Sequence, residues 1–451
     1  MEEARVEIMP ALGMDWPDFP PPGAADAEEM RLRWADYLDE RGQRDWAELI
    51  RLQLTLAHLP VEQSPPSEWL EREAELNLRL GQQWLEELGD LLAAPPQFRY
   101  GLPESVAVEA RVFVRRAPDL LARLPIRRLR LIEPNAVWKS LWNCRGLEKI
   151  AELDLCGAEL APCDLTPLFR SPYLQSLQVL DLSFNQLEDK ALFPCRRGDA
   201  LPRLRCLALN DNRLTDRTVA LLADAPCRKH LEELDLSRNE ITAAGVRTLV
   251  AHSWPQLHQV HLSGTPLGDQ GLALLVDSSL FLRMAQRHGC LELQGQAQHP
   301  LSPAGIEALV QAEAAAYVRV LNLGQQGLGD DGLVALLGSD RWPRLRRLGL
   351  PRNRITDQAI IRLRPLWPHW LSQLSSLDLA HNRLTSFGVG LLTAALPADK
   401  PGAALDTTGN LHHSLPRPGD RATADPHGPQ DRGRDLRTLR QHIAYPRRRR
   451  C

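Results

Sequence analysis

Between Leu129 and Leu405 the pattern Leu-x-x-Leu-x-Leu returns at nearly constant intervals, and no other feature restricts the possible folds as much. The stretch Leu231-Glu-Glu-Leu234-Asp-Leu236-Ser-Arg-Asn239-Glu-Ile241-Thr-Ala-Ala-Gly245-Val246-Arg-Thr-Leu249-Val250 shows one unit in full. Leu234 and Leu236 alternate as a strand does, whereas Val246, Leu249 and Val250 fall at helical spacing, so the unit reads strand, Asn turn, helix. One unit cannot bury its apolar face alone. Stacked copies can.

The second leucine of each copy, or its valine substitute, stands at Leu129, Leu153, Leu180, Leu207, Leu234, Val260, Leu291, Leu321, Leu348 and Leu377, with a degraded copy at Leu405. The intervals are 24, 27, 27, 27, 26, 31, 30, 27, 29 and 28 residues, long enough for a helix between successive strands. The two longest are accounted for by a longer outer helix over residues 278–289 and an enlarged loop over 294–300. Val106-Ala-Val108 is read as a further leading strand, with a helix after it through Val112, Phe113, Leu120 and Leu121.

Glycine recurs early in the helical segments, as in Gly245-Val-Arg-Thr-Leu249, Gly271-Leu-Ala-Leu-Leu275, Gly305-Ile-Glu-Ala-Leu309, Gly332-Leu-Val-Ala-Leu336 and Gly388-Val-Gly-Leu-Leu392. On these residues the repeats resemble the leucine-rich repeats of the ribonuclease-inhibitor subclass. That resemblance implies an α/β solenoid, a horseshoe with parallel strands inside and helices outside.

Ahead of the repeats the pattern is helical. Met30, Trp34, Tyr37 and Leu38 share one face, with Gly42 as the C-terminal cap. A second helix is expected from Asp45 as N-cap through Trp46, Leu49, Ile50 and Leu54. A third is expected from Ser67 through Trp69, Leu70 and Leu76 toward Leu80, with a further turn or two at Trp84, Leu85 and Leu88. Through Arg33-Trp-Ala-Asp36-Tyr-Leu-Asp-Glu40-Arg-Gly42, Glu48-Leu-Ile-Arg51-Leu-Gln53, Arg72-Glu-Ala-Glu75-Leu and Trp84-Leu, this region resembles a small bacterial repeat-companion domain that precedes leucine-rich repeats in the same chain. The resemblance implies co-occurrence with repeats and no reaction. Asp36, Asp39, Glu40 and Arg51 are read as a solvated helical face.

The expected organisation is a flexible segment 1–23, a small helical domain 24–102, a leucine-rich repeat domain 103–396, and a degraded last repeat with a disordered basic tail at 397–451. That tail ends in Arg447–Arg450 and is read as solubilising, with a short helix over 435–443. The formal charge of −3 gives no overall pull toward nucleic acid or anionic membrane. The eight cysteines form no CxxC pair, and no run of eighteen apolar residues occurs, so reduced thiols and a cytoplasmic location are expected.

The candidate residues divide into two sets. Asn185, Asn212, Asn239, Asn353 and Asn382 stand at the turn after each strand, where an amide can satisfy backbone groups that the bend would strand. Ala158, Thr265 and Gln326 depart from the pattern, and Asn410 could extend it. Asp154, Asp181, Asp235, His261, Glu292, Asn322 and Asp378 stand beside the buried leucines and are expected to face the concave surface, as Ala208 and Gly349 also do. A partner with a basic patch would fit that small, acidic centre, although Leu-Asp-Leu is also an ordinary spelling of such a strand.

Walker A, HExxH and GxSxG patterns are absent. Gly324-Gln-Gln-Gly327-Leu-Gly329 is read as a repeat turn, Asp406-Thr-Thr-Gly409 as belonging to the degraded repeat, and His412-His413 as a surface pair. The expectation is a non-enzymatic scaffold without cofactor or metal, monomeric, binding a protein of unknown identity through the concave face or rim. No small-molecule substrate, nucleic acid or membrane is expected. The alternative is a small-GTPase regulator, because the repeats also resemble those of the GTPase-activating protein of Ran; it rests on fold analogy alone.

Overall fold

The computed structural model describes residues 27–59, 65–160, 164–196, 201–295, 300–397 and 404–411. The expected flexible segment 1–23, His412-His413, the helix at 435–443 and Arg447–Arg450 lie outside the described residues.

Three helices open the described chain: α1 (Ala27–Glu40), α2 (Arg44–His58) and α3 (Ser67–Leu88). Their apolar faces bring Trp34, Leu38, Trp46, Ile50, Leu76 and Trp84 into one core, with the rings of Trp46 and Trp84 edge to face at 5.8 Å. Neither expected N-cap forms. Asp45 lies inside the first turn of α2, where its carboxylate accepts from Arg79 of α3 at 2.7 Å, and Ser67 is the first helical residue, with Pro66 in the cap position. The expected further turns at Trp84 and Leu88 are the unbroken end of α3.

The helices seat on a hairpin of β1 (Gln97–Arg99) and β2 (Leu102–Glu109). Its turn sits so close to α2 that a Cβ on Gly101, at φ +75°, would lie 2.0 Å from Ile50 Cγ1. Trp46 Nε1 donates to the Gly101 carbonyl at 2.6 Å, and Gln53 both donates to the Phe98 carbonyl and accepts from the Gly101 amide. Arg31 and Glu104, both buried, approach to 3.9 Å across this junction. The helical region therefore caps the first strands instead of standing apart.

From β2 onward every pairing is parallel. The strands β3 (Arg128–Ile132), β4 (Glu152–Asp154), β5 (Val179–Asp181), β6 (Cys206–Ala208), β7 (Glu233–Asp235) and β8 (Gln259–His261) complete an eight-stranded sheet. A second sheet of five holds β9 (Cys290–Glu292), β10 (Val320–Asn322), β11 (Arg347–Gly349), β12 (Ser376–Asp378) and β13 (Ala404–Asp406). The repeat markers stand opposite one another within each sheet, Leu129 through Val260 in the first and Leu291 through Leu405 in the second. Val106 pairs with Leu129, so the leading strand is the first of the parallel set.

Strand β8 does not pair with β9, so the inner sheet is split where the repeat interval is longest. The extra residues form a separate helix, Ser279–His288, closed by Gly289 in the left-handed conformation, not an extension of the preceding Gly268–Val276 helix. Local contacts cross the split: the Gly264 amide donates to the Gln294 carbonyl, and Ser263 Oγ donates to the Glu292 carbonyl and accepts from the Gln294 amide.

Helices line the other side, including Asp216–Ala223, Ala243–Ala251, Gly268–Val276, Pro303–Gln311, Gly329–Leu337 and Ser386–Ala394. The early repeats differ from expectation. Between β3 and β6 the connections are single turns and 3-10 segments, with Pro134, Pro167 and Pro194 inside them. Paired strands sit about 4.8 Å apart and packed helices about 8–10 Å apart, so a stack of this kind curves with the strands on its inner side.

Candidate interaction surface

The turn asparagines join neighbouring repeats. Asn239 Nδ2 donates to the Leu209 carbonyl one repeat earlier at 2.9 Å and to Leu236 and Ser237 in its own turn, while Oδ1 accepts from the Leu214 amide. Asn212 and Asn185 do the same one and two repeats before, and Asn353, Asn382 and Asn410 do so in the second sheet. Gln326 covers the Leu293 carbonyl with its longer side chain. Thr265, at the split, bonds only within its own turn, to Leu262.

A second set of clamps runs along the outer side, and the sequence reading missed it. Among the described residues, five of the six Thr or Ser side chains that cap a helix give their hydroxyl and backbone amide to an Asp at the start of the preceding helical segment; the sixth, Ser278, donates to the Leu275 carbonyl. The pairs are Thr215 with Asp189, Thr242 with Asp216, Ser302 with Asp269, Thr356 with Asp330 and Thr385 with Asp357. Burial would push the Asp189 carboxyl upward, but the bonds from Thr218 and Thr215 outweigh it and hold the group below the usual carboxylate range.

At three of the clamps a recurrent helical glycine leaves room for the carboxylate, whereas Thr218 and Ala359 hold that position beside Asp189 and Asp330. A Cβ on Gly245, Gly305 or Gly388 would lie 2.4, 2.3 or 2.1 Å from an oxygen of Asp216, Asp269 or Asp357. Where Gly268 or Gly329 stands in register with the capping Thr, the preceding repeat offers Ala243 or Pro303 and no carboxylate.

On the strand face the predicted residues are in register but do not all present free side chains. Asp154 and Asp181 are buried, a correction to the expectation of an open acidic centre. Their Oδ1 atoms accept from the amides of Cys156 and Ser183, two residues on. Asp235 and Asp378 take the amides of Ser237 and Ala380 in the same way, Asn322 takes that of Gly324, and Asp406 that of Thr408. A short acceptor at this position closes an Asx turn as the strand ends, so these residues serve the turn first. His261 is held by Glu233 at 3.3 Å, and Glu292 is exposed.

Histidines gather at the split. His288 Nε2 meets His258 Nδ1 at 2.8 Å, and burial together with this neighbour pulls the His288 imidazole down to about 4. Burial pulls on His261 too, but the bond to Glu233 and the nearby Asp235 raise it overall. Burial pushes the Cys195, Cys227 and Cys290 thiols up to about 12, 11 and 12, so none is a ready thiolate. Among the described residues no three His, Cys, Asp or Glu side chains converge to hold a metal, and no helix is long and apolar enough to cross a membrane.

On the helical cap, Arg51 pairs with both Asp36 and Asp39, and Arg72 grips Glu48 through two bonds and Glu75 through a third. Glu40 makes no such pair and is exposed. The open cleft of about 510 Å³ beside these pairs, lined by Asp39, Glu48, Arg51, Trp69 and Arg72, carries charges that largely neutralise one another.

A family model described as a leucine-rich repeat matches residues 173–194 and 229–250, the units around β5 and β7. The fold is a leucine-rich repeat solenoid. Tonsoku-like protein of Danio rerio is 30% identical over 281 residues of this solenoid chain, 59% of its length, and the chain spans only 18% of that relative. Among solved structures, an internalin from Listeria monocytogenes is 19% identical, with a TM-score of 0.37 over 62% of this chain and 67% of that one. The mouse RP105/MD-1 complex is 16% identical, with a TM-score of 0.27 over 65% and 40%.

Proposed function

We propose that this leucine-rich repeat protein is a non-enzymatic scaffold that binds a protein partner through the strand-lined concave face. The observation that carries this reading is a division of labour among the repeat residues. Leucines, turn asparagines and the Asp–Thr clamps are consumed in holding the stack, whereas Glu233, His261, Glu292 and Arg347, on β7, β8, β9 and β11, stand on the strand face outside those roles. Such a face offers area without an enclosed pocket, which suits a macromolecule better than a small substrate.

The strand-end carboxylates make poor probes because they close turns. Glu292→Arg with Arg347→Glu changes the face without touching a turn. Affinity capture with the full chain, with this double variant and with Arg362→Glu on the outer wall tests the reading. A partner retained by the parent and the outer-wall variant but lost by the double variant supports it. A partner lost only by the outer-wall variant moves the interface to the helices.

A further inference from the structure

Across β11 the strand face changes character. Residues 341–354 carry six arginines and no carboxylate. Arg344, Arg346, Arg347, Arg352 and Arg354 are all exposed, and among the described residues none of them makes an ion pair. Several arginines on or beside other strands are matched: Arg99 with Glu152 at 3.0 Å, Arg128 with Asp154 at 3.3 Å, Arg205 with Glu232 at 3.3 Å. Arg344 lies over the Tyr317 ring at 5.6 Å, and Arg346 meets only the carbonyl of Leu345, so their charge is turned to solvent without compensation.

The floor between these arginines is small. Gly349 occupies the outward position of β11, flanked in register by Asn322 on β10 and by Asp378 on β12, whose carboxylate already accepts from the Ala380 amide, and a Cβ on Gly349 would come within 3.2 Å of the Asn322 amide group. An extended backbone could lie close along such a floor. The arginines stand before, on and after the strand, so the stripe crosses the face from rim to rim. From Arg346 to Arg352 is six residues, at most about 20 Å of extended chain.

Resting on the concave-face reading, we propose that this stripe receives a short acidic segment, rich in Asp and Glu, of the protein partner. The charge pattern favours such a segment over nucleic acid. On the same face Asp378 of β12 borders the stripe, Glu292 stands two strands away on β9, and Glu233 and Asp235 lie farther along on β7. A duplex with about one negative charge per 1.7 Å of axis would meet them as soon as it passed the stripe. None of the exposed aromatic residues falls in this region, so base stacking has no platform here. A run of some six to eight acidic residues with neutral or basic flanks matches both the stripe and its surroundings.

The test uses the full chain and a fluorescein-labelled octapeptide of alternating Asp and Glu, read by fluorescence anisotropy. The parent is expected to bind, more weakly as salt rises. Arg346→Glu with Arg347→Glu is expected to weaken binding at least about tenfold, the scale of two lost charge-assisted contacts. Arg352→Ala with Arg354→Ala should weaken it less, and Arg362→Glu should leave it unchanged. The second pair keeps the test valid if charge reversal perturbs folding, which the thermal midpoint reports.

No binding by the parent overturns the proposal. Affinity that survives both stripe variants does so too, since it then resides elsewhere, for instance in Arg447–Arg450. A single-stranded oligonucleotide of equal charge that binds as tightly through the same arginines replaces the acidic segment with nucleic acid. If the octapeptide fails while Glu292→Arg with Arg347→Glu still releases the captured partner, the concave-face reading stands and only the acidic segment falls.

Discussion

The repeats from β5 to β7 and the junction between β8 and β9 are built from the same unit, yet they hold together differently. In the regular stretch, each repeat is tied to the next on both sides: Asn212 and Asn239 beside the strands, and the Asp189–Thr215 and Asp216–Thr242 clamps on the outer wall. At the junction the strands do not pair, and Thr265, the turn residue of the β8 repeat, bonds only within its own turn. The outer tie survives, since Asp269 still takes both donors of Ser302 across an interval lengthened to 33 residues. Inner and outer ladders are therefore separable. An insertion can open the sheet while leaving the helical wall continuous.

The largest expected effect comes from removing an inner tie where it is intact. Asn239→Ala strands the Leu209 carbonyl and the Leu214 amide, both buried in the turn, and should cost about 1–3 kcal/mol. Thr265→Ala breaks one bond within its own turn and should cost about 1 kcal/mol or less. Chemical denaturation of both variants checks the contrast, and equal losses would show that the split repeat is tied as firmly as the regular one.

An effect of similar size tests the outer wall. Gly245→Ala puts a Cβ against Asp216 and should cost about 1–3 kcal/mol, the usual penalty for overpacking. In an Asp216→Ala background the space is free, and the same substitution should be close to neutral or stabilising by a few tenths of a kcal/mol through helix propensity. Additive losses in this cycle would mean that the glycine does not make room for the clamp.

Much of this architecture was legible in the sequence, because strand alternation and repeat length are local and repeated. The registers of Leu129 to Val260 and Leu291 to Leu405 follow from counting. The intervals of 31 and 30 residues marked the place of the split, but length alone does not say whether extra residues lengthen a helix or separate neighbouring strands. The outward position of Asp154 and Asp181 was legible, whereas their use by their own turns depends on backbone geometry that alternation does not encode. Asp45 and Ser67 were misplaced as caps for a related reason, since an ion pair with Arg79 and a proline at the cap position outweighed the cap preference.

The Asp–Thr clamps were legible in principle. The capping residues Thr215, Thr242, Ser302, Thr356 and Thr385 each have an Asp in the preceding repeat, and Gly268 and Gly329 have none; reading each repeat singly hid a correlation that only pairs of repeats display. The same holds for the basic stripe. Six arginines within residues 341–354 are visible as composition, but their common exposure and lack of carboxylate partners are properties of the stacked strands.

Hydrogen exchange on the intact protein tests most directly whether the inner ladder is cut while the outer wall runs on. The amides of Cys290 and Glu292, which face the unpaired side of β9, are expected to exchange about ten times faster or more than those of Glu233 and Asp235, which face β6. The helices Gly268–Val276 and Pro303–Gln311 should be protected as well as Ala243–Ala251. Equal protection of the two strand segments, or weak protection confined to the helices beside the junction, would contradict the account.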